Sequence, residues 1–321
     1  MNSFYYVFLL MLLTAPLLGQ TGNLWSKTDD FGAGQRARAV GFAINGRGYI
    51  SCGLDTADQV RNDLWQFDPA SATWTQKANL PGAPRRNAVA FVIDDFAYVG
   101  TGVDNVDAPL GNILNDFWKY DPMTNSWSAI ADYPGVGNGG VYFATAFAID
   151  GKGYVCGGKR GPDNYISSLY EYKPSVNQWS LRGDFPGGAR YQLASVLGYD
   201  RVYIGLGTDE DIHRKDWWEY HPGSNSWKEK TDLPGAGRAN VVTFTLAGRP
   251  HVGLGSDGGY KDDLWEYIPA SDSWQIRRNF PPSGRKYASC FVLANRAYIG
   301  LGKAASGSKR SFYVYLPYES N

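Results

Sequence analysis

The stretch Trp74-Thr-Gln-Lys-Ala-Asn-Leu-Pro-Gly82 returns with small changes as Trp179-Ser-Leu-Arg-Gly-Asp-Phe-Pro-Gly187 and Trp227-Lys-Glu-Lys-Thr-Asp-Leu-Pro-Gly235. Tryptophans at 25, 74, 127, 179, 227 and 274 head such phrases, and their spacings of 49, 53, 52, 48 and 47 residues give the chain its period. Another aromatic stands nine residues before each of the last five: Trp65, Trp118, Tyr170, Trp218 and Trp265. A proline turn lies between the paired aromatics, as at Asp68-Pro69, Asp121-Pro122 and His221-Pro222. Proline presets φ at the first central position of a turn, so each phrase reads as a hairpin.

The rest of each unit supplies two more strands. In the first, Ala39-Val-Gly-Phe-Ala-Ile44 runs to Asn45-Gly46, and Gly48-Tyr-Ile-Ser-Cys-Gly53 follows. Asn-Gly between apolar runs is a strong hairpin signal. Asp150-Gly151 and Ala247-Gly248 occupy the same place later in the chain. Four strands at a period near fifty residues describe a propeller blade, not a solenoid coil. Trp25 begins a fourth-strand phrase with no three strands before it, and the last unit has only three, through Phe312-Tyr-Val-Tyr315. The N-terminal strand, residues 24–29, is therefore expected to complete the last of six blades and remove an open edge.

Composition agrees. Gly is 39 of 321 residues, with 22 Tyr, 11 Trp and only 19% charged residues, which suits a turn-rich β protein and excludes a helical bundle or a disordered chain. Lys+Arg and Asp+Glu are 31 each, so no global field draws the protein to nucleic acid. Residues 1–19 read as a secretory leader: Phe4 to Leu18 is apolar but too short for a membrane span, and Gly19-Gln20 follows. Residues 20–321 are then the propeller of an exported monomer, periplasmic, cell-surface or secreted, with no membrane span after the leader. Cys52, Cys156 and Cys290 lie in apolar β-like runs without metal-ligand spacing and read as small buried hydrophobes.

With these residues in view, the sequence resembles the kelch-repeat β-propellers. The motif that carries the resemblance is an aromatic-hydrophobic strand ending in two glycines, seen as Tyr154-Val-Cys-Gly157-Gly158. Tyr203-Ile-Gly-Leu-Gly207 and Tyr298-Ile-Gly-Leu-Gly302 keep only its second glycine. The resemblance implies the all-β, six-bladed fold already read from the period. It covers the galactose oxidase propeller, whose copper site needs convergent Tyr and His. His213, His221 and His251 fall at unrelated positions of their units, so no copper site, other metal or cofactor is expected. The chain also resembles the sialic acid mutarotases, exported six-bladed kelch propellers.

Candidate site residues follow from register. Eleven residues after each tryptophan stand Arg36, Arg85, Asn138, Arg190, Arg238 and Arg285, expected to ring one mouth of the central channel. Asp55, Asp104, Asp209 and Asp257 follow strand two, and Asp63, Asp116, Asp216 and Asp263 precede strand three, in the four blades carrying the first four paired arginines. Arg36, Arg85, Arg190 and Arg238 thus read as structural, each forked onto its own blade's carboxylates. Arg285 meets Ala304 and Ser311 instead, and with Lys286, Lys303, Lys309 and Arg310, and Lys159 and Arg160 across the ring, it reads as a solvent-facing anion site. Should the chain be an enzyme, Asp209, Glu210 and His213 are the acid–base candidates for a carbohydrate mutarotase or epimerase. The preferred expectation is a non-catalytic scaffold binding a protein or a glycan through this loop face.

Overall fold

The computed structural model describes residues 23–105, 111–135, 137, 139–210 and 212–317. Among them stand six four-stranded antiparallel sheets, each running from an inner to an outer strand. Blade 1 is Val40–Ile44, Arg47–Ser51, Leu64–Asp68 and Thr73–Lys77, and blades 2 to 5 repeat it. Blade 6 has Ser289–Leu293, Arg296–Gly300 and Phe312–Leu316, and its outer strand is Leu24–Thr28. Trp25 pairs with Tyr315 in that register, so the ring closes as the unpaired ends required. The proposed leader lies outside the described residues.

The hairpins obey local backbone chemistry. Asn45 and Gly46 have φ of 49° and 72°, and Asp150 and Gly151 have 52° and 68°, the doubly left-handed turn that matches strand twist. The sheets pack face to face, and each of the six apolar clusters is shared by two neighbouring blades. Phe42 and Tyr49 of blade 1 meet Val99 and Tyr120 of blade 2. Phe67 of blade 1 meets Phe291 and Phe312 of blade 6, and so the last gap is filled as well. Cys52, Cys156 and Cys290 are free thiols, the first two buried and the third half-buried.

Only the second glycine of the motif is sterically required. Gly53, Gly102, Gly158, Gly207, Gly255 and Gly302 all have φ between +81° and +105°. A Cβ on Gly207 would lie 2.7 Å from the Tyr191 carbonyl oxygen, and one on Gly255 would lie 2.6 Å from that of Ala239. The residue before each is left-handed too, yet it is Cys52, Thr101, Leu206, Leu254 or Leu301 in five blades. There a side chain costs only backbone strain, whereas at the second position it would strike main chain.

Candidate functional site

In a meander, the loops between strands two and three share one face with the linkers from each outer strand to the next inner strand. On this face each paired arginine is fixed by a carboxylate. Arg85 Nη1 and Nη2 donate to Asp116 Oδ1 and Oδ2 at 2.7 and 2.6 Å, and Arg36 and Arg238 form the same fork with Asp63 and Asp263. Arg190 reaches Asp216 through one bond of 2.6 Å and also donates to the Gly187 carbonyl. The third partner is a tryptophan: Trp65, Trp118, Trp218 and Trp265 donate Nε1 to the same four aspartates. Burial alone would raise the Asp116 and Asp263 carboxyls, but their arginine and tryptophan partners outweigh it and hold both below the usual carboxylate range.

The sequence reading needs correction at several points. Asp55, Asp104, Asp209 and Asp257 do not join these clamps: they bind Arg61, Asn112, Arg214 and Lys261 within their own loops. The arginine slot of blade 3 is not Asn138, which lies outside the described residues. Its linker is three residues longer, and Val141 takes the slot, its carbonyl accepting from Gly102 N as the Arg85 carbonyl accepts from Gly53 N. Arg285 does not face solvent: it is 1% exposed. It donates to the carbonyls of Leu301 and Ser311 and to Ser311 Oγ, with its Cζ 4.9 Å from the Phe280 ring centroid. Burial brings its guanidinium down to about 10, opposed by Tyr313 and Asp30.

The arginines therefore lie beneath the mouth and do not line it. Two residues further along each linker, Arg38, Asn87, Phe143, Gln192, Asn240 and Tyr287 all take left-handed φ, from 55° to 61°. Their backbones are joined blade to blade: Arg38 N donates to the Tyr287 carbonyl, Asn87 N to that of Arg38, Phe143 N to that of Asn87, and Gln192 N to that of Phe143. This is the rim of the channel, and register reading missed it by two positions. Phe143 and Tyr287, on opposite blades, stack with centroids 6.1 Å apart, and the Arg38 Cζ lies 4.5 Å from the Tyr287 centroid.

Around this rim the predicted cations separate. Lys159 is half-buried, its Nζ 5.1 and 4.5 Å from the stacked rings of Tyr165 and Tyr191. Arg160 is half-buried beside Gly139. Lys303 is exposed and bridges backbone to backbone with Lys286, whose Nζ lies 5.5 Å from the Tyr260 and Tyr287 centroids. Arg310 is exposed but bonded to Asp30 at 3.0 Å, so it is not unpaired as the sequence suggested. What the rim offers is flat rings interleaved with cations, on backbone fixed by hydrogen bonds.

The acid–base candidates do not converge. Asp209 is gripped by Arg214, whose hydrogen bonds hold its carboxyl below the usual range. Glu210 is exposed at the turn of the small ribbon Thr208–Asp209 and Ile212–His213. His213 lines a cleft of about 600 Å3 with Arg190, Lys215, Asp216, Glu229 and Asp232, and neither Asp209 nor Glu210 reaches it. Among the described residues no three His, Cys, Asp or Glu side chains gather as a metal set, and no helix is long and apolar enough to cross a membrane.

Comparison with known proteins fits this architecture. The Kelch motif matches residues 84–132 and 141–186. Kelch-like protein 25 of Xenopus tropicalis is 27% identical over 171 residues, 52% of this chain, and the match spans 28% of that protein's length. The solved structure of YjhT superposes with a TM-score of 0.74 at 21% identity, covering 88% of this chain and 95% of that one. At that identity the likeness concerns the fold alone.

Proposed function

We propose that this chain, which is a kelch-repeat six-bladed β-propeller, is a non-catalytic binding scaffold that takes a protein or glycan ligand at the rim of its channel. The observation that carries this reading is the rim itself: Phe143, Tyr287, Tyr191 and Tyr165 beside Arg38, Lys159 and Lys286. Aromatic faces give contact area at low entropic cost, and neighbouring cations orient an anionic or hydroxyl-bearing partner. The separation of Asp209 and Glu210 from the His213 cleft favours binding over acid–base chemistry.

The test is binding to immobilised glycan and peptide panels by the native protein and by the double variant Phe143→Ala/Tyr287→Ala. Loss of the bound ligand in a variant that melts with the parent supports the reading. The rival is a mutarotase or epimerase working at the His213 cleft. Proton NMR of reducing sugars that shows faster anomeric exchange, abolished by His213→Ala, would replace the scaffold with the enzyme. The reading includes export, on the strength of the apolar run Phe4 to Leu18. It fails if the N-terminal residue of protein purified from its native cell is Met1.

A further inference from the structure

On the loop face most cations are occupied within the fold. The buried clamps take four arginines, and Arg61, Arg214 and Lys261 are held by Asp55, Asp209 and Asp257 of their own loops. Arg38 is different. Its guanidinium makes no hydrogen bond or ion pair with any described residue. It is held in place all the same, with its Cζ 4.5 Å from the Tyr287 centroid and 5.7 Å from that of Phe143. A guanidinium positioned by rings keeps its fork of N–H donors for a carboxylate.

Beside it the repeat pattern is broken once. Lys286 N donates to the Lys303 carbonyl at 3.0 Å, and Lys303 N donates back to that of Lys286 at 2.8 Å. Residues opposed in this way carry their side chains on one side of the ladder, where like charges destabilise it. In blades 1 to 5 the corresponding pairs, from Ala37 with Leu54 to Ala239 with Ser256, hold at most one charge. Neither lysine forms an ion pair among the described residues. The flanking acids do not compensate them: Asp257 is bonded to Lys261 at 2.6 Å, Asp263 to Arg238, and Asp30 to Arg310. A local rule broken without a partner inside the fold points to a partner outside it.

The two features meet at one ring. Lys286 Nζ lies 5.5 Å from the Tyr287 centroid that Arg38 approaches at 4.5 Å, so the two charges are at most about 10 Å apart and their potentials reinforce each other. That ring is already packed by Phe143, Arg38 and Lys286, so recognition falls to the charges and not to stacking of a sugar. Along an extended chain, side chains on one side repeat at about 7 Å, a spacing that fits within this span. We propose that the patch binds an acidic segment of a protein partner, with alternate Asp or Glu carboxylates on Arg38 and on the pair Lys286 and Lys303. The proposal rests on the rim reading above and names its ligand.

The experiment is a fluorescence-anisotropy titration of the whole protein with three labelled probes: a blocked peptide of alternating Glu and Gly, its Gln counterpart, and a heparin oligosaccharide. Arg38→Gln and Lys303→Glu are compared with the parent, and Lys228→Gln, on the exposed outer strand of blade 4, controls for net charge. The Glu peptide is expected to bind at least about tenfold more tightly than the Gln peptide and more tightly than heparin, and to weaken as salt rises. Arg38→Gln and Lys303→Glu should each raise its dissociation constant about tenfold or more, while Lys228→Gln leaves it unchanged. Lys303→Glu turns the opposed like charges into an ion pair, so it should melt at or above the parent and still lose the peptide. Absence of peptide binding, equal binding of the Glu and Gln peptides, a preference for heparin, or binding that survives both patch variants overturns the proposal. If the patch variants keep a ligand found on the glycan and peptide panels and Phe143→Ala/Tyr287→Ala loses it, the rim reading stands and its acidic ligand alone is overturned.

Discussion

Arg85 and Asp116 meet fork to fork at 2.7 and 2.6 Å with the arginine wholly buried, while Arg285, the equivalent residue of blade 6, is equally buried and hydrogen-bonds, among the described residues, only to carbonyl and hydroxyl oxygens. The two sites differ by the Asp-x-Trp sequence that supplies the clamp. Asp116-Phe117-Trp118 in blade 2 becomes Ser311-Phe312-Tyr313 in blade 6. The acceptor and the donor that fixes it are replaced together.

Removing the charge should therefore have unequal effects. Arg85→Met strands Asp116 in a partly buried site and is expected to cost about 3 kcal/mol or more. Arg285→Met removes a charge held only by neutral acceptors and should cost about 1–2 kcal/mol at most. Urea melts of both variants at neutral pH measure the contrast. Equal losses would show that the carboxylate contributes nothing specific.

Completing the clamp in blade 6 should stabilise the protein. Ser311→Asp with Tyr313→Trp gives Arg285 the partners that Arg85 has, with an expected gain of about 1–3 kcal/mol at pH 7. The new carboxyl should titrate below its unfolded value, as Asp116 and Asp263 do. The gain is then full above the unfolded pKa of about 3.9 and is lost as pH falls below it. Melting the double variant and its parent at pH 7 and pH 3 checks both the size and the sign.

Ring closure is open to truncation. Residues Leu24–Thr28 pair with Phe312–Leu316, and Trp25 packs on Phe280 and Tyr315 at 5.1 and 4.9 Å. Deleting residues 20–30 leaves blade 6 with an open edge and uncovers the aromatic cluster beneath it. A large drop in melting temperature and a tendency to self-associate are expected by calorimetry and light scattering. An unchanged melting temperature would contradict closure as a source of stability.

Glu266 gives a pH signature. Burial opposes its ionisation, but His251, Arg249 and Arg277 prevail and bring the carboxyl down to about 2. A lowered folded-state pKa means that its stabilisation is complete above the unfolded value of about 4.3 and fades as pH falls toward 2. The effect amounts to roughly 3 kcal/mol at most. Glu266→Gln should flatten the stability curve between pH 5 and pH 2. A slope identical to that of the parent would mean that Glu266 is not ionised in this network.

The repeat was legible because it is written in local chemistry. A tryptophan every fifty or so residues, proline turns between paired aromatics, and Asn-Gly or Asp-Gly between apolar runs each specify a backbone geometry without reference to distant residues. The pairing of Leu24–Thr28 with the last blade also followed, because an unpaired edge strand and an unfinished blade leave one economical solution. The clamp arginines were found by register. Their tryptophan partners were equally visible in the Asp-x-Trp spacing and were overlooked.

Register was insufficient wherever a few ångströms decide the outcome. Three extra residues in one linker put Val141, and not Asn138, in the arginine slot. Two positions along each linker separate buried Arg36 from Arg38 at the rim. Whether Asp209 serves Arg190 or Arg214, and whether Arg285 meets solvent or the Ser311 carbonyl, depends on side-chain reach within a folded loop. By itself the sequence determined the number of blades, their order and the way the ring closes, because those follow from strand periodicity and hydrogen-bond saturation. Only the tertiary structure decided which polar side chains are consumed within the fold and which meet a ligand, because burial and pairing are properties of neighbours that the chain brings together from different blades.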